Sequence, residues 1–410
     1  MSVKRRLRSL LHGVKYSYMQ SVANTKLKKV AELKAQSDDI KVGFIVQLPE
    51  VWDKEAPVFE AMVKDNRFDP YLIVVPGYDF AKSEIRDYGD ELSFFSEHYD
   101  HKYIIKAYNN GRWLDLKSLH FDYIFFQRCW ENYLPYQYHT CEVVKYAKTC
   151  YIPYGIGGMK YNRRFYEKSF FTSLYIHFCS TKEQVDMQKN SRFKHNVCLG
   201  IPVLDKKINT NVVSDNKKQV LWTPRWTEET FYGGSSFFAY MNKILELKTL
   251  HPDMKLVLRP HPLAFDNAVR LGRMTAKEVA RYKEKVQESG AVFDENEIVG
   301  DTFEQTSILI TDFSSIILEY FLSGRPVVYC TNINIDLSET YKYIAKGFYV
   351  VKNWEELKLQ VGKLMNGTDE LKDIRNALLQ NLKKQHNGAV NRIIEFIVAD
   401  SQFCEASKIW

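Results

Sequence analysis

Short apolar runs alternate with amphipathic stretches along most of the chain. In the first half the apolar runs cover residues 40–48, 69–77, 121–128, 149–158, 173–180 and 196–205. Near-continuous apolar runs are typical of strands buried on both faces, and helical stretches between them predict a parallel sheet with helices on both sides. We therefore expect an α/β domain in the first half.

The same pattern restarts after a polar linker at residues 210–219. Strands are predicted within 219–226, 254–262, 307–315 and 325–331, and helices within 236–249, 316–324 and 370–397. Two Rossmann-like domains of this kind would face a central cleft at the carboxyl ends of their strands, where open α/β sheets bind ligands. The expected boundaries are 1–39, 40–205 and 206–385, with a C-terminal helix at 386–410 that crosses back over the first domain.

The first 39 residues form a basic amphipathic segment. Its apolar residues share one helical stripe, formed by Val3, Leu7, Leu10, Leu11, Val14, Tyr18 and Val22, and basic residues flank that stripe, namely Lys4, Arg5, Arg6, Arg8 and Lys15. This pattern is typical of a helix that lies on an anionic membrane surface. An ordinary docking helix with a solvated basic face is the alternative. Nucleic-acid binding is disfavoured, because no basic patch with interleaved aromatic residues follows.

Composition sets further bounds. The chain has 410 residues, of which 45% are apolar, enough for two buried cores. No apolar run approaches the roughly 18 residues that span a bilayer, and no secretory signal is present, so we expect a protein kept in the cytoplasm. The seven cysteines are scattered without a CxxC pair, which argues against a disulfide framework and a zinc site.

Candidate anion-binding residues lie where predicted strands end. Thr311, Asp312, Ser314 and Ser315 are predicted at the start of a helix, where free N–H groups and hydroxyls suit phosphate. The alternative is simple capping of that helix by Asp312. His261 follows a neighbouring strand, and it either contacts phosphate and moves a proton or is only a loop histidine between two prolines.

Several motifs resemble a known family. LWTPRW, LVLRPHP, ILITDFSSIILEYFLSGRPVVYC and KGFYVV, within residues 196–352, are similar to the second domain of the CDP-glycerol glycerophosphotransferases, the teichoic acid primases and polymerases with a GT-B fold. The resemblance implies an acceptor domain at 40–205 and a nucleotide-donor domain at 206–385. It implies that His261, Ser314 and Ser315 contact the CDP diphosphate and that Glu319 meets the ribose or the polyol. Thr223, Arg225, Thr311 and Asp312 are further candidate donor-binding residues at the strand ends, although the family more often has Thr or His where Arg225 stands. It also implies peripheral attachment to the cytoplasmic face of the membrane and a lipid-linked or polymeric glycan acceptor.

One departure from the family affects the expected mechanism. The family places a Trp-His-Gly in the first domain, and its histidine is taken as the base that deprotonates the attacking hydroxyl. Here Tyr154 stands before Gly155, in a loop that continues to Gly157 and Gly158 and is expected on the acceptor side. Tyrosine, with an ordinary pKa near 10, is a poor base at pH 7. His261 and Tyr154 are thus the candidate catalytic residues, and the identity of the base stays open.

The expected activity is transfer of glycerol phosphate or a related polyol phosphate from a CDP donor to a membrane-associated, teichoic-acid-like acceptor. A GT-B glycosyltransferase that uses a CMP-, CDP- or UDP-sugar in capsule or lipopolysaccharide synthesis is one alternative. A non-catalytic nucleotide-binding scaffold is another. No Asp-x-Asp motif is present, so we expect a metal-independent enzyme without a cofactor. The oligomeric state is left open.

Overall fold

The computed structural model describes residues 3–33, 39–79, 84–155, 158, 163–188, 191–208, 218–225, 234–261, 264–294, 296, 299–330 and 337–402. Side chains before Leu7 lie outside this description. The chain divides into two compact units. The first consists of Met1–Tyr154, Tyr161–Lys206 and His386–Trp410, and the second of Gly155–Lys160 and Lys207–Gln385. Both ends of the chain therefore belong to the first unit.

The first unit is built on a parallel sheet. The strands of this unit in chain order are β1 (Ile40–Val46), β2 (Phe68–Val74), β3 (Tyr78–Asp79), β4 (Glu84–Ile85), β5 (Ile104–Lys106), β6 (Tyr108–Asn109), β7 (Arg112–Trp113), β8 (Tyr123–Phe126), β9 (Lys148–Tyr151), β10 (Ile176–Phe178) and β11 (His195–Val197). Seven of them form one sheet in the order β11-β10-β9-β8-β1-β2-β5, and all neighbours in it are parallel. The order reverses between β1 and β8. In open α/β sheets such a switch point is where ligands bind, at the carboxyl ends of the strands.

The helices of this part of the chain are α1 (Val3–Ala31), α2 (Ala56–Val63), α3 (Asp90–His98), α4 (Thr140–Val143), α5 (Ser169–Thr172), α6 (Lys182–Met187) and α7 (Pro202–Ile208). Aromatic residues fill much of the core, where the rings of Phe44 and Phe125 stack with centroids 4.6 Å apart. The Phe59 ring meets the Phe44 ring edge-on at 5.5 Å. These contacts attach α2 to the centre of the sheet.

The second unit repeats the architecture with six parallel strands. They are β12 (Gln219–Thr223), β13 (Lys255–Leu258), β14 (Val292–Phe293), β15 (Thr306–Thr311), β16 (Val327–Cys330) and β17 (Phe348–Val351), in the order β14-β13-β12-β15-β16-β17. The switch point here lies between β12 and β15. The accompanying helices are α8 (Phe237–Tyr240), α9 (Glu246–Leu250), α10 (Ala264–Arg270), α11 (Ala276–Glu288), α12 (Val299–Gln305), α13 (Ile317–Phe321), α14 (Glu339–Ile344), α15 (Trp354–Met365) and α16 (Lys372–His386).

The last helix, α17 (Ala389–Ser401), is fastened to the first unit by a buried polar cluster. The Asp400 carboxylate accepts hydrogen bonds from the Tyr123 hydroxyl at 2.5 Å, the Tyr175 hydroxyl at 2.7 Å and the Lys148 ammonium at 2.8 Å. These residues lie at the amino ends of β8, β9 and β10, opposite the edge where ligands bind. Buried ionic groups are stable only when they are paired and hydrogen-bonded, so α17 is an integral part of this unit.

Helix α1 has a docked face and an exposed face. Ala23, Leu27 and Val30 in its C-terminal half are at most 3% exposed. The predicted apolar stripe faces solvent instead, with exposed fractions of 59% for Leu7, 68% for Leu10, 63% for Leu11, 70% for Val14, 71% for Tyr18 and 40% for Val22. No helix within the described residues combines the length and the apolar character needed to cross a membrane.

Several helices are shorter than predicted. The helix expected within 316–324 is the five-residue α13, and the one expected within 236–249 divides into α8 and α9. The helix expected over 370–397 is interrupted between α16 and α17, where Gly388 has φ +77°. That left-handed conformation favours glycine and ends a helix. Apolar periodicity continues across the interruption, so it gave no sign of the break.

Candidate functional site

The second switch point begins with two threonines at the ends of adjacent strands. The hydroxyl of Thr223, at the end of β12, donates to the hydroxyl of Thr311, at the end of β15, over 2.8 Å. Thr311 Oγ1 also lies 3.1 Å from the Thr223 carbonyl oxygen and 2.8 Å from that of Asp312. Both threonines are buried. They join the two strand ends, and the residues that follow them form the accessible part of the edge.

Asp312 organises the loops at this edge. It is 2% exposed, and its Oδ2 accepts hydrogen bonds from the backbone N–H groups of Arg225 and Ser236, both at 2.9 Å. Burial raises the pKa of Asp312 to about 6, although those two hydrogen bonds and the Arg225 charge act in the opposite direction. The capping alternative for Asp312 is wrong. Helix α13 begins at Ile317, and no side chain caps it.

Arg225 is held in place from two sides. Its backbone N–H is bound by Asp312, and its Nη1 donates to the Phe313 carbonyl oxygen over 2.9 Å. The guanidinium lies 5.7 Å from the centroid of the Phe313 ring. The side chain is half-buried. A cation positioned in this way at a switch point is suited to an anionic ligand such as a diphosphate.

His261 follows β13, the strand that neighbours β12. Desolvation by surrounding protein atoms, together with the positive charge of Arg225, lowers the pKa of His261 to about 4. The residue is nevertheless exposed at the surface, so a ligand can reach it. A bound anion would raise this pKa by offsetting the Arg225 charge. The positive charge of Arg225 is therefore close enough to affect the protonation of His261.

Ser314 and Ser315 lie between β15 and α13, ahead of the helix. Their expected position in its first turn is wrong, because the helix begins at Ile317. Their carbonyl oxygens both accept from the Tyr341 hydroxyl, at 3.1 and 3.0 Å. The Ser314 hydroxyl oxygen accepts a 3.4 Å hydrogen bond from the Ile316 N–H. Both serines are half-buried, with their backbone held by Tyr341.

Gly158 packs against the same segment. A Cβ at this position would come within 2.7 Å of the Phe313 ring and 2.9 Å of the Tyr341 ring, so only glycine fits. Its carbonyl oxygen accepts from the Ser338 N–H over 2.9 Å. Gly155 has open space around its Cα, and Gly157 lies outside the described residues. Glu319, in α13, is only 3% exposed, and its contact with ribose or polyol stays a prediction.

Tyr154 lies in the first unit, after β9. Its hydroxyl oxygen accepts a 3.0 Å hydrogen bond from Trp130 Nε1. Burial raises the pKa of Tyr154 above its usual value of 10, and the Trp130 hydrogen bond offsets only part of that rise. The phenol therefore stays protonated at pH 7, which makes Tyr154 a poor general base.

The sequence analysis missed a second set of polar residues at the first switch point. Gln47 follows β1, and Gln127 and Arg128 follow β8. The Gln127 side-chain oxygen accepts from the backbone N–H groups of Gln47 and Leu48, both at 2.8 Å. The available signal was a polar residue directly after each of two buried strands, at the edge where ligands bind.

Within the part of the chain that the structure describes, no cluster of three or more His, Cys, Asp or Glu side chains is arranged to hold a metal ion.

Two kinds of comparison identify relatives by sequence. The family model described as CDP-Glycerol:Poly(glycerophosphate) glycerophosphotransferase matches residues 186–398. The teichoic acid poly(glycerol phosphate) polymerase of Bacillus spizizenii is 25% identical over 164 residues. That match covers 39% of this chain and 36% of the relative, so the chain corresponds to about a third of that protein's length.

Solved structures resemble the chain over most of its length. The wall teichoic acid polymerase TagF superimposes with a TM-score of 0.56 at 13% identity, covering 98% of each chain. The UDP-GlcNAc 2-epimerase of Neisseria meningitidis, bound to UDP-GlcNAc, gives a TM-score of 0.54 at 15% identity and covers 87% of this chain and 99% of its own. These similarities show the GT-B fold, as the sequence analysis predicted.

The family match begins near the end of the first unit's sheet and runs through all of the second sheet into α17. It therefore includes both strands of the second switch point and the Asp312 cluster. It covers residues 186–398 of 410, which is more than half of the chain. The chain belongs to the CDP-glycerol:poly(glycerophosphate) glycerophosphotransferase family.

Proposed function

We propose that the protein transfers glycerol phosphate, or a related polyol phosphate, from a CDP-linked donor to a membrane-associated acceptor of the teichoic acid type. Family membership and the activity for which the Bacillus relative is named support this proposal. The observation that carries it is that Arg225, after β12, and Ser314 and Ser315, after β15, lie together at the second switch point, where Arg225 donates to the Phe313 carbonyl oxygen. His261 follows the neighbouring strand β13. This edge offers a fixed cation, a titratable imidazole and two hydroxyls to a diphosphate.

In the proposed reaction an acceptor hydroxyl oxygen attacks the β-phosphorus of the donor. The bond between that phosphorus and the bridging oxygen breaks, CMP leaves, and the hydroxyl proton passes to a base. Negative charge grows on the leaving CMP, and preorganised groups that meet this charge lower the barrier. Arg225 supplies a permanent positive charge. His261 gains a proton more readily once the diphosphate is bound, and it then adds a second positive charge without a metal ion.

The buried residues of the edge have supporting roles in this proposal. Thr223 and Thr311 hold the two strand ends together, and Asp312 fixes the backbone of Arg225. The buried Glu319 side chain would contact the ribose or the polyol after a change of its conformation. Tyr154 is assigned to the acceptor side. The following residues Gly155–Lys160 belong to the second unit, and Gly158 supports the donor-side segment through its packing against Phe313 and Tyr341. No cofactor is required.

The test is a product assay with the full chain. We expect CDP-glycerol and an acceptor-bearing membrane fraction to yield CMP and a new phosphodiester that hydrofluoric acid cleaves. His261→Ala should lower turnover at least about tenfold, whereas the exposed control His101→Ala should not. Consumption of a CMP- or UDP-sugar in place of CDP-glycerol would establish the glycosyltransferase alternative. Release of no nucleotide from any donor would indicate a scaffold.

We also propose that α1 attaches the protein to the anionic, cytoplasmic face of the membrane. The exposed stripe from Leu7 to Tyr18 has no apolar partner within the described residues, and the exposed Arg8 and Lys15 flank it. Burial of such a stripe in the lipid interface, together with attraction of the basic residues to anionic lipid, gives reversible binding. The side chains of Lys4, Arg5 and Arg6 lie outside the described part.

Vesicle flotation tests the attachment. Leu10 and Leu11 are 68% and 63% exposed, and full burial of a leucine is worth at least about 1.5 kcal/mol. Replacing both by serine should therefore cost about 2 kcal/mol, or about 25-fold in partitioning onto phosphatidylglycerol vesicles. Leu359→Ser, at a position 64% exposed in α15, is the matched control. Unchanged flotation of the double variant would refute the attachment.

A further inference from the structure

Arg128 is a buried cation without an acidic partner. It follows β8 at the first switch point and is only 9% exposed. Its Nη2 donates to the side-chain oxygen of Gln47, a neutral group, and its buried Nε has no hydrogen-bond partner. The charge of Glu50 favours the charged guanidinium, but none of the carboxylates in the described residues forms an ion pair with Arg128. A buried charge without an ion-pair partner is costly, so an anion bound at this site would stabilise it.

The neighbouring residues fix the position of this guanidinium. The Gln47 amide nitrogen donates to the carbonyl oxygens of Pro76 at 2.5 Å and Tyr133 at 3.2 Å, which leaves its oxygen for Arg128. Gln47 is in turn held through its backbone by Gln127. The loops after β1, β2 and β8 are thus cross-linked around one end of the guanidinium. A rigid framework of this kind reduces the entropy that a ligand loses on binding.

Aromatic side chains lie near the guanidinium, and the Tyr133 ring contacts it directly. The Tyr133 ring centroid lies 4.4 Å from Arg128 Cζ, and both Tyr133 and Tyr154 are half-buried. Trp130, 37% exposed, donates to the Tyr154 hydroxyl. Burial lowers the pKa of Arg128 to about 10, so the guanidinium still carries its charge at pH 7. The result is a charged centre with partly exposed aromatic rings beside it.

From this arrangement we propose that Arg128 is an anion-binding residue on the acceptor side, and that it binds a phosphodiester of the acceptor chain. A phosphodiester carries one negative charge and can accept charge-assisted hydrogen bonds from a guanidinium. The aromatic rings would pack against the polyol that joins successive phosphates. This inference rests on the proposed function for the identity of the acceptor. It adds that the enzyme requires a negatively charged acceptor.

Two acceptors distinguish charge recognition from a structural role. One is a synthetic trimer of glycerol joined by phosphodiesters, and the other is the same trimer with uncharged methylphosphonate linkages. With CDP-glycerol as donor, we expect the wild type to prefer the charged trimer at least tenfold in kcat/KM. Arg128→Gln should lose that preference while the KM for CDP-glycerol changes less than twofold. Arg128→Lys, which retains a charge but not the planar fork, should retain part of the preference.

Arg112→Gln is the matched control, because Arg112 is an exposed arginine of the same unit. We expect it to behave as the wild type. Arg128→Gln would overturn the proposal if it kept the preference, or if it lost activity equally with both trimers. A rise in the KM for CDP-glycerol alone would instead assign Arg128 to the donor diphosphate and would also overturn the proposal.

A binding measurement without donor keeps the two proposals separate. The charged trimer alone should raise the unfolding temperature of the wild type, because a ligand that binds only the folded state stabilises it. This rise should diminish with added salt, and the uncharged trimer should not produce it. An absent rise refutes the role of Arg128 even if the variants fail to fold. A wild type that binds the charged trimer but releases no CMP from CDP-glycerol refutes the proposed function only.

Discussion

Replacing Asp312 by asparagine should stabilise the protein at neutral pH. The carboxylate is buried, and its pKa rises from the ordinary value of 3.8 to about 6 in the folded state. A raised pKa means that the folded state disfavours the charged form. The resulting cost is absent below pH 3.8, grows between the two pKa values, and is complete above pH 6. Asparagine has no charge to bury, and its side-chain oxygen can accept the same two backbone hydrogen bonds.

The size of the effect follows from the shift. A difference of about two pKa units corresponds to about 3 kcal/mol. At pH 8 we expect Asp312→Asn to have a free energy of unfolding about 3 kcal/mol above that of the wild type. At pH 4.5, where the unfolded aspartate is largely ionised and the folded one is protonated, the gain should fall to about 1 kcal/mol.

Urea denaturation of both proteins at the two pH values measures this difference. The difference between variant and wild type at pH 4.5 is subtracted from the same difference at pH 8. The contributions of other titrating groups, which both proteins share, then cancel. Asp301→Asn, at an exposed position in α12, is the control substitution. A gain that is the same at pH 4.5 and pH 8 would refute the electrostatic account of Asp312. So would a variant less stable than the wild type at pH 8.

Three further predictions concern activity. Replacing Ser314 and Ser315 together by alanine should weaken CDP-glycerol binding at least about tenfold, since each lost hydrogen bond to a charged group is worth about 1.5 kcal/mol or more; a thermal-shift titration checks this, and unchanged affinity contradicts the donor role. Tyr154→Phe should retain most of kcat, because a protonated phenol is no base; a loss beyond a hundredfold in initial rates would contradict this. Chelation with EDTA should leave CMP release unchanged, and activity restored only by added Mg²⁺ or Mn²⁺ would show that the metal-free mechanism is wrong.

The sheets could be predicted from the sequence because their strands are buried on both faces. Runs such as the one at Ile40–Val46 are apolar along nearly their whole length and have few alternative structures. Strand β5 was missed, since Ile104–Lys106 has only three residues and none is fully buried. A short, partly exposed strand at the edge of a sheet leaves too weak a pattern.

The role of Asp312 could not be predicted from its neighbours. An aspartate before an apolar helix is a common N-cap, and the local sequence favoured that reading. Its real partners are the backbone groups of Arg225 and Ser236, which are 87 and 76 residues away in the chain. Tertiary contacts at this distance decide which of two locally reasonable roles a side chain takes.

The role of Arg128 also could not be predicted from the sequence. Its position after a buried strand is visible in the sequence, but an arginine in a loop is most often exposed and solvated. What distinguishes Arg128 is burial without an acidic partner, together with a neutral glutamine as its hydrogen-bond acceptor. The absence of a partner is a property of the folded chain alone.

The attachment of α17 to the first unit determines when that unit can be completed during synthesis. Lys148 and Asp400 are 252 residues apart. At roughly 5 to 20 residues per second, a ribosome needs about 13 to 50 s between them. During that interval the strands of the first sheet exist without the carboxylate that neutralises Lys148 and without the helix that covers them. The newly made N-terminal half therefore depends on a late C-terminal segment, and chaperone binding to the nascent chain should persist until α17 has left the ribosome.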